Sequence, residues 1–476
     1  MITLMHHASY LLFALSLLPA IILLFSAILD KKHSLLSPFW SILFPVLVGT
    51  SLKIVLYQTA KSSESLAKAF TGLSINDIAV SLLMISVFFL VTSITYFTVN
   101  FGSNHKSSVN RLGTISVELN RPLLLLVTLA VLTCSLISLH FLLKASGGGF
   151  DSIAEFSGKR RIVESSGAVS SGGVYRVFTN FAKVNTLLLF ALWLRCPSIR
   201  RDIILWSGLL LGIFVTAINS AALSERTSFA LLLIPLLGGL KTQDVITGFH
   251  ISIVFACALV FANTIVILRS ASESDGLTIS GLLSNSNEIP LRLTESINGT
   301  DVTKVTRIRQ HCDAFSDFFY GRTLVTWPTN LIPKLVWPNK PDVSLDRWVT
   351  RVVYGGTSEV DMAPLPPSLV GECYMNGGWI GIFLGAFAYG AGLKCLIEKL
   401  FPGSNSSVFS VFCFFSTLPL LTHLINMADF GSSMFRLCID LGSGLFLIQI
   451  YSRLAWRTHQ YRQFTILVDE ASGGFS

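Results

Sequence analysis

Apolar runs of 14 to 26 residues alternate with polar breaks through 1–268 and again through 368–454, on either side of a long polar stretch. The runs are Ser9–Leu29, Leu35–Tyr57, Ile78–Val99, Pro122–Leu143, Val177–Leu194, Ile203–Leu223, Thr227–Leu240, Val245–Leu268, Ser368–Leu393, Val408–Met427 and Met434–Tyr451. A helix rising 1.5 Å per residue needs about 20 apolar residues to cross a bilayer. The pattern therefore predicts an all-α, polytopic membrane protein with about 11 spans. The range is 10 to 12, because Thr227–Leu240 is short and needs tilt or polar neighbours to complete a crossing. The first run is too long for a cleaved signal peptide, and its N-terminal flank is poor in Lys and Arg.

Composition supports this reading. Of the 476 residues 51% are hydrophobic and 13% charged, about half the roughly 25% charge of a soluble chain. That excludes an ordinary cytosolic enzyme, a disordered chain and a disulfide scaffold. The expected organisation is spans within 1–268, with a basic loop at 144–176. A large, partly helical loop follows at 269–367, then spans within 368–454 and a tail at 455–476.

The net charge of +8 is informative once sorted by side. With the N-terminus outside, the inside loops hold fourteen Lys or Arg, from Lys31 and Lys32 to Arg453, Arg457 and Arg462. The short outside loops hold only Lys61, Lys68 and Arg226. The positive-inside bias then predicts a periplasmic N-terminus and a cytoplasmic C-terminus. Two outside loops break the bias. Residues 144–176 carry five cations, including Arg160 and Arg161, and 269–367 carries ten cations against eleven acids. An external anion is one reason to keep cations there; plain solvation is the other.

No CxxC, HExxH, Walker loop or dinucleotide fingerprint occurs in the sequence. No cofactor, metal site or nucleic-acid partner is expected. Most of the eight cysteines fall in apolar runs, so no disulfide framework is expected. Lys53 and Lys183 lie near helix ends, where snorkelling is the simpler expectation. Arg436 and Asp440, four apart, are expected to pair. His140, His250 and His423 read as core histidines.

Three segments carry candidate chemistry. The turn Leu223-Ser-Glu-Arg-Thr-Ser-Phe229 sets Arg226 at a helix N-terminus beside the membrane, where a planar guanidinium suits phosphate. A capped turn with an internal Glu225–Arg226 pair competes with that reading. Residues Arg307-Ile-Arg309-Gln-His311-Cys-Asp313 place Arg307 with His311, and Arg309 with Asp313, on shared faces if helical. A solvated amphipathic helix fits that spacing equally. Ile332-Pro-Lys-Leu-Val-Trp-Pro-Asn-Lys-Pro341, containing Trp337 and Lys340, is extended and aromatic. It suits sugar stacking or an interfacial belt. Pro364-Leu-Pro-Pro-Ser-Leu-Val-Gly-Glu372 leads to Glu372, a few residues inside a span and a candidate acid–base group.

The turn Ser-Glu-Arg-Thr at 224–227, the segment at 332–341 and Pro-Pro-Ser-Leu-Val-Gly-Glu-Cys-Tyr-Met-Asn-Gly-Gly at 366–378 resemble Wzy-type polymerases. These polymerise O-antigen or capsular oligosaccharide repeat units in bacteria. Glu225 departs from that likeness, standing where a small residue is expected. The resemblance implies a metal-independent, inverting glycosyltransferase at the periplasmic face of the inner membrane. Donor and acceptor would both be linked to undecaprenyl diphosphate, with a chain-length regulator as a further partner. It implies cations for the diphosphate, Arg226 first, then Arg160 and Arg161, with Arg309 and Arg322 next. It also implies a base drawn from His311, Asp313, Asp317 and Glu372.

An O-antigen ligase has a similar layout and differs in its acceptor. A polyprenyl-phosphate-sugar transferase is weakened because residues 58–77 offer only the widely spaced Glu64 and Asp77. A lipid-linked oligosaccharide flippase or other transporter predicts charges strung through the spans instead.

Overall fold

The computed structural model describes residues 2–30, 37–59, 70–101, 117–145, 175, 177–196, 199–222, 226–242, 300–325, 327–332, 337, 345–355, 365–400, 407–427, 430–454 and 456–458. Within them the apolar runs are helices: α1 (Ile2–Leu29), α2 (Pro38–Leu47), α3 (Lys53–Thr59), α4 (Ile75–Thr98), α5 (Arg121–Ala145), α6 (Phe181–Arg195), α7 (Ile203–Ala222) and α8 (Arg226–Thr242). Nine described helices are long and apolar enough to cross a bilayer, which makes the chain a multi-pass membrane protein. Helix α8 has 17 residues with Pro235 inside it, in keeping with the short run expected there. The run at 245–268 lies outside the described residues.

After α8 the described chain resumes with α9 (Val302–Phe315), followed by the short helices α10 (Arg322–Val325) and α11 (Leu345–Trp348). Three long helices close the fold: α12 (Ser368–Leu400), α13 (Val408–Met427) and α14 (Phe430–Leu454). A three-residue antiparallel ladder, β1 (Val117–Leu119) on β2 (Trp456–Thr458), joins the entry of α5 to the exit of α14. It is the one β ladder among the described residues.

Helix α6 stands at the centre of one half of the bundle, packed by α5, α7, α8, α13 and α14. Fourteen of its fifteen residues, Ala182–Arg195, are buried. A helix buried on every face needs its polar groups paired internally. Lys183 Nζ accordingly meets Asp440 Oδ2 of α14 at 2.7 Å, and Tyr451 donates to Asn185 Oδ1 at 2.5 Å. The snorkelling expected of Lys183 is therefore replaced by a buried ion pair. The Arg436–Asp440 pairing is replaced too, because Asp440 faces α6.

Lys53 departs from expectation in the same way. A five-residue π segment, Val48–Leu52, turns α2 into α3 and brings Gly49 against the backbone of Thr300. A Cβ on Gly49 would lie 2.6 Å from the Thr300 carbonyl oxygen. Thr300 Oγ1 also donates to Ile425 O of α13 at 3.4 Å. Thus 300–315 is wedged among helices rather than lying free as a loop. Lys53 Nζ, 2.5 Å from Asp301 Oδ2, pins its start.

Helix α12 is two pieces. Gly378 takes φ 58°, a left-handed conformation suited to glycine, and the helix breaks between Asn376 and Trp379. Cβ atoms on Gly381 and Gly385 would lie 2.0 Å from Cys373 O and 2.1 Å from Cys373 Sγ. Residues eight and twelve apart in one straight helix are about 12 and 18 Å apart. The arm 368–376 therefore doubles back beside the span that begins at 379. The single span expected from Ser368 is a short arm plus a span, and the Gly-Gly pair is the hinge. Gly381→Ala must push a Cβ into backbone, and is expected to cost about 1–3 kcal/mol. Gly392→Ala, with nothing within 4 Å, is expected to be neutral. Thermal unfolding in detergent checks both.

Candidate functional site

Of the candidate residues, Arg309, His311, Asp313 and Glu372 lie where α9 and the 368–376 arm pack against each other and α4. Asp301 caps α9, its Oδ1 accepting from Thr303 N–H at 2.9 Å. Residues Val302 to Thr306 are buried, as are Ile308 and Cys312, while Asp313 onward is exposed. The helix thus climbs from the packed interior to open surface, with its ionisable groups in tiers.

The lowest tier is Asp301 between Lys53 and Lys304. Burial pushes the Lys304 ammonium down to about 8 and the charge of Lys53 adds to this, while Asp301 opposes it. The two lysines, with hydrogen bonds from Lys53 and Thr303, overcome desolvation and hold the Asp301 carboxyl below its usual range.

The middle tier is the shared face expected from the spacing. Arg307 donates to Thr71 O at 3.0 Å and lies over the Tyr354 ring, 5.1 Å from its centroid. Arg309 sits between two carboxylates, bonded to Asp77 of α4 and 3.3 Å from Asp313. Asp77 also accepts from Gln310 Nε2 at 2.8 Å, and Ser74 caps α4 beside it. The (i, i+4) pair Arg309–Asp313 is present as expected, but the helix is half-buried rather than solvated. Arg309 is committed to joining α9 and α4.

The top tier is open. Asp313 Oδ1 accepts from the Tyr374 hydroxyl at 2.6 Å, and the Asp313 side chain is 44% exposed. His311 Nε2 lies 3.5 Å from Asp317 Oδ2. Its ring packs on Phe315 at 4.8 Å and edge-on to Trp348 at 5.6 Å. A histidine beside a carboxylate is an arrangement able to take up a proton.

Glu372 has a different setting. It is 1% exposed; Oε1 accepts from Thr323 Oγ1 at 2.8 Å and Oε2 from Phe430 N–H at 2.7 Å. The second bond sets a carboxylate on the N-terminus of α14, where the helix dipole favours it. Asn376 Nδ2 donates to Thr323 Oγ1 at 2.7 Å, and Asn376 Oδ1 accepts from Gly321 N–H at 2.9 Å. Glu372 and Asn376 thus anchor the loop 316–325 to the arm.

Arg322 and Trp337 are exposed. Arg226 opens α8 at its first position, but its side chain lies outside the described residues, as do Arg160, Arg161 and Lys340. Sequence alone assigns no role to Thr323, Asn376 or Tyr374, and offers Asp77 only as half of a widely spaced acidic pair. Asn376 and Tyr374 stand in the Tyr-Met-Asn-Gly-Gly motif, and Ser74-x-x-Asp77 is a helix-start signature. Nothing in the sequence linked these to α9.

The class defined by fold and site is a multi-pass helical membrane protein with a tiered set of ionisable side chains along one helix, α9. A family model described as "Domain of unknown function (DUF8712)" matches residues 301–418, about a quarter of the chain. That stretch opens on Asp301 and includes α9, the doubled arm and the span after it. Neither the curated proteins nor the solved structures contain a match.

Proposed function

We propose that this chain is a membrane glycosyltransferase that polymerises oligosaccharide repeat units carried on undecaprenyl diphosphate, at the periplasmic face of the bacterial inner membrane. The supporting observation is the gathering of half-buried His311 with exposed Asp313 and Asp317 at the outer end of α9, above a buried framework of paired charges, within the single stretch 301–418. Ionisable groups are costly inside a bilayer, and those found there mark function by default. Among the described residues, buried Lys53 and Lys183 are paired with Asp301 and Asp440, while His311, Asp313 and Asp317 gather at the outer end of α9, which suits surface chemistry better than a transport path.

In this reading the terminal hydroxyl of one lipid-linked unit attacks the reducing-end carbon of the growing chain. The carbon–oxygen bond to the diphosphate breaks as the new glycosidic bond forms. His311, oriented by Asp317, accepts the hydroxyl proton, and Asp313 hydrogen-bonds the attacking sugar. Negative charge grows on the departing diphosphate, so cations there stabilise the transition state more than the ground state. Arg226 and Arg322 take that role, with Arg160 and Arg161; Arg309 is engaged in the framework. Glu372 positions the loop and does not touch the sugar.

A strain lacking the gene is expected to carry surface polysaccharide of one repeat unit only. Arg226→Ala in that strain is expected to restore protein and not polymer, read on a polysaccharide ladder gel. Loss of all attached sugar in the deletion strain points to a ligase or flippase instead. A full ladder with Arg226→Ala removes that arginine from the mechanism.

A further inference from the structure

The loop 316–321 has three left-handed backbone positions in six residues: Ser316 at φ 52°, Tyr320 at φ 47° and Gly321 at φ 83°. Glycine meets that requirement freely, whereas a side chain with a Cβ is strained there. Tyr320 gains no burial in return, since it is 80% exposed. Yet the loop is firmly fastened. Phe319 N–H donates to Met375 O at 2.8 Å, Gly321 N–H to Asn376 Oδ1 at 2.9 Å, and Thr323 to the buried Glu372 at 2.8 Å. Folding stability alone favours Gly or Asn at 320. A strained, exposed ring held in place by a buried polar network calls for another reason.

The ring does not stand alone. Tyr320 lies 6.2 Å from Phe318, and Phe318 lies 6.1 Å from Tyr374, whose hydroxyl donates to Asp313. The row runs from an exposed ring, through a half-buried one, to a carboxylate. A pyranose has the matching amphipathy: a C–H face that packs on an aromatic ring, and a rim of hydroxyls that donate to carboxylates.

We propose that Tyr320 and Phe318 form a stacking subsite for a pyranose ring, which leads the terminal hydroxyl of the lipid-linked unit toward Asp313 and the His311–Asp317 pair. The proposal rests on the polymerase reading and names the acceptor subsite of that same site. An aromatic strip that ends on carboxylates suits a sugar better than lipid, whose acyl region offers nothing for Asp313 to accept.

The test uses the full chain in the deletion strain, with Tyr320→Phe, Tyr320→Leu and Tyr320→Gly. Phe is expected to keep the polymer ladder. Leu and Gly are expected to cut polymer yield by about tenfold. The Gly variant, relieved of strain, should melt no lower than the native protein. A full ladder with Gly overturns the proposal, and a full ladder with Leu overturns it in favour of bilayer contact. A lowered melting temperature with Gly overturns it in favour of a structural role. If the deletion strain itself keeps its ladder, the polymerase reading has failed, and the subsite is then judged separately. The purified chain in nanodiscs is placed on an array of pyranose oligosaccharides. Binding that Tyr320→Gly abolishes supports the subsite, and absence of binding overturns it.

Discussion

Replacing Asp301 with Asn is expected to destabilise the protein by about 3–5 kcal/mol, the usual result of stripping one partner from a buried ion pair. The reason is specific. Asp301 is the carboxylate between Lys53, 2.5 Å away, and Lys304, both lysines being 6% exposed. Without it, two ammonium groups face each other in a low-dielectric interior. The triple variant Lys53→Met, Asp301→Leu, Lys304→Met is expected to recover much of the loss, since apolar side chains of similar volume remove the desolvation cost of all three charges. Thermal unfolding in detergent gives both values; an Asp301→Asn protein as stable as the native one sinks the reading.

The same tier predicts a pH dependence. Lys304 sits at about 8 in the folded protein, against 10.5 ordinarily. Between those values the unfolded chain binds more protons than the folded one, so stability rises with pH across that window. Below about 8 the penalty is full and constant; a shift of that size corresponds to about 3 kcal/mol. Asp301 works at the other end, where its lowered carboxyl lends stability that is lost as pH falls through its folded value. Lys304→Met should flatten the rise between pH 8 and 10.5 and lift the melting temperature at pH 7. An unchanged slope would show that Lys304 does not titrate there.

The second large effect is catalytic. His311→Gln keeps the size and one hydrogen-bonding nitrogen of the side chain but cannot take up a proton. Polymerisation is expected to fall about 10²–10⁴-fold, the usual worth of a positioned base. Asp317→Asn should fall less, because it orients the ring rather than accepting the proton. Initial rates with lipid-linked repeat units in proteoliposomes make the measurement. A His311→Gln enzyme with native rate would shift the role to Asp313.

The spans and the charged face of α9 were legible in the sequence because they are local. Apolar run length fixes a span, and spacing of four joins Arg309 to Asp313. What was not legible depends on chain returning from far away. Lys53 near a helix end reads as snorkelling until Asp301, 248 residues on, is found beside it. Glu372 reads as a base inside a span until the Gly377-Gly378 hinge folds its arm back and Thr323 and Phe430 take both oxygens. Tyr320 gave no signal at all, since a left-handed backbone angle has no signature in a tyrosine.

The two buried ion pairs also set an order for biogenesis. Each lysine is synthesised about 250 residues before its aspartate, Lys53 ahead of Asp301 and Lys183 ahead of Asp440. Each pair can therefore close only after the later part of the chain has been made. Helix α14, bearing Asp440, supplies the counter-charge that α6 lacks until then, and so latches the central helix in place.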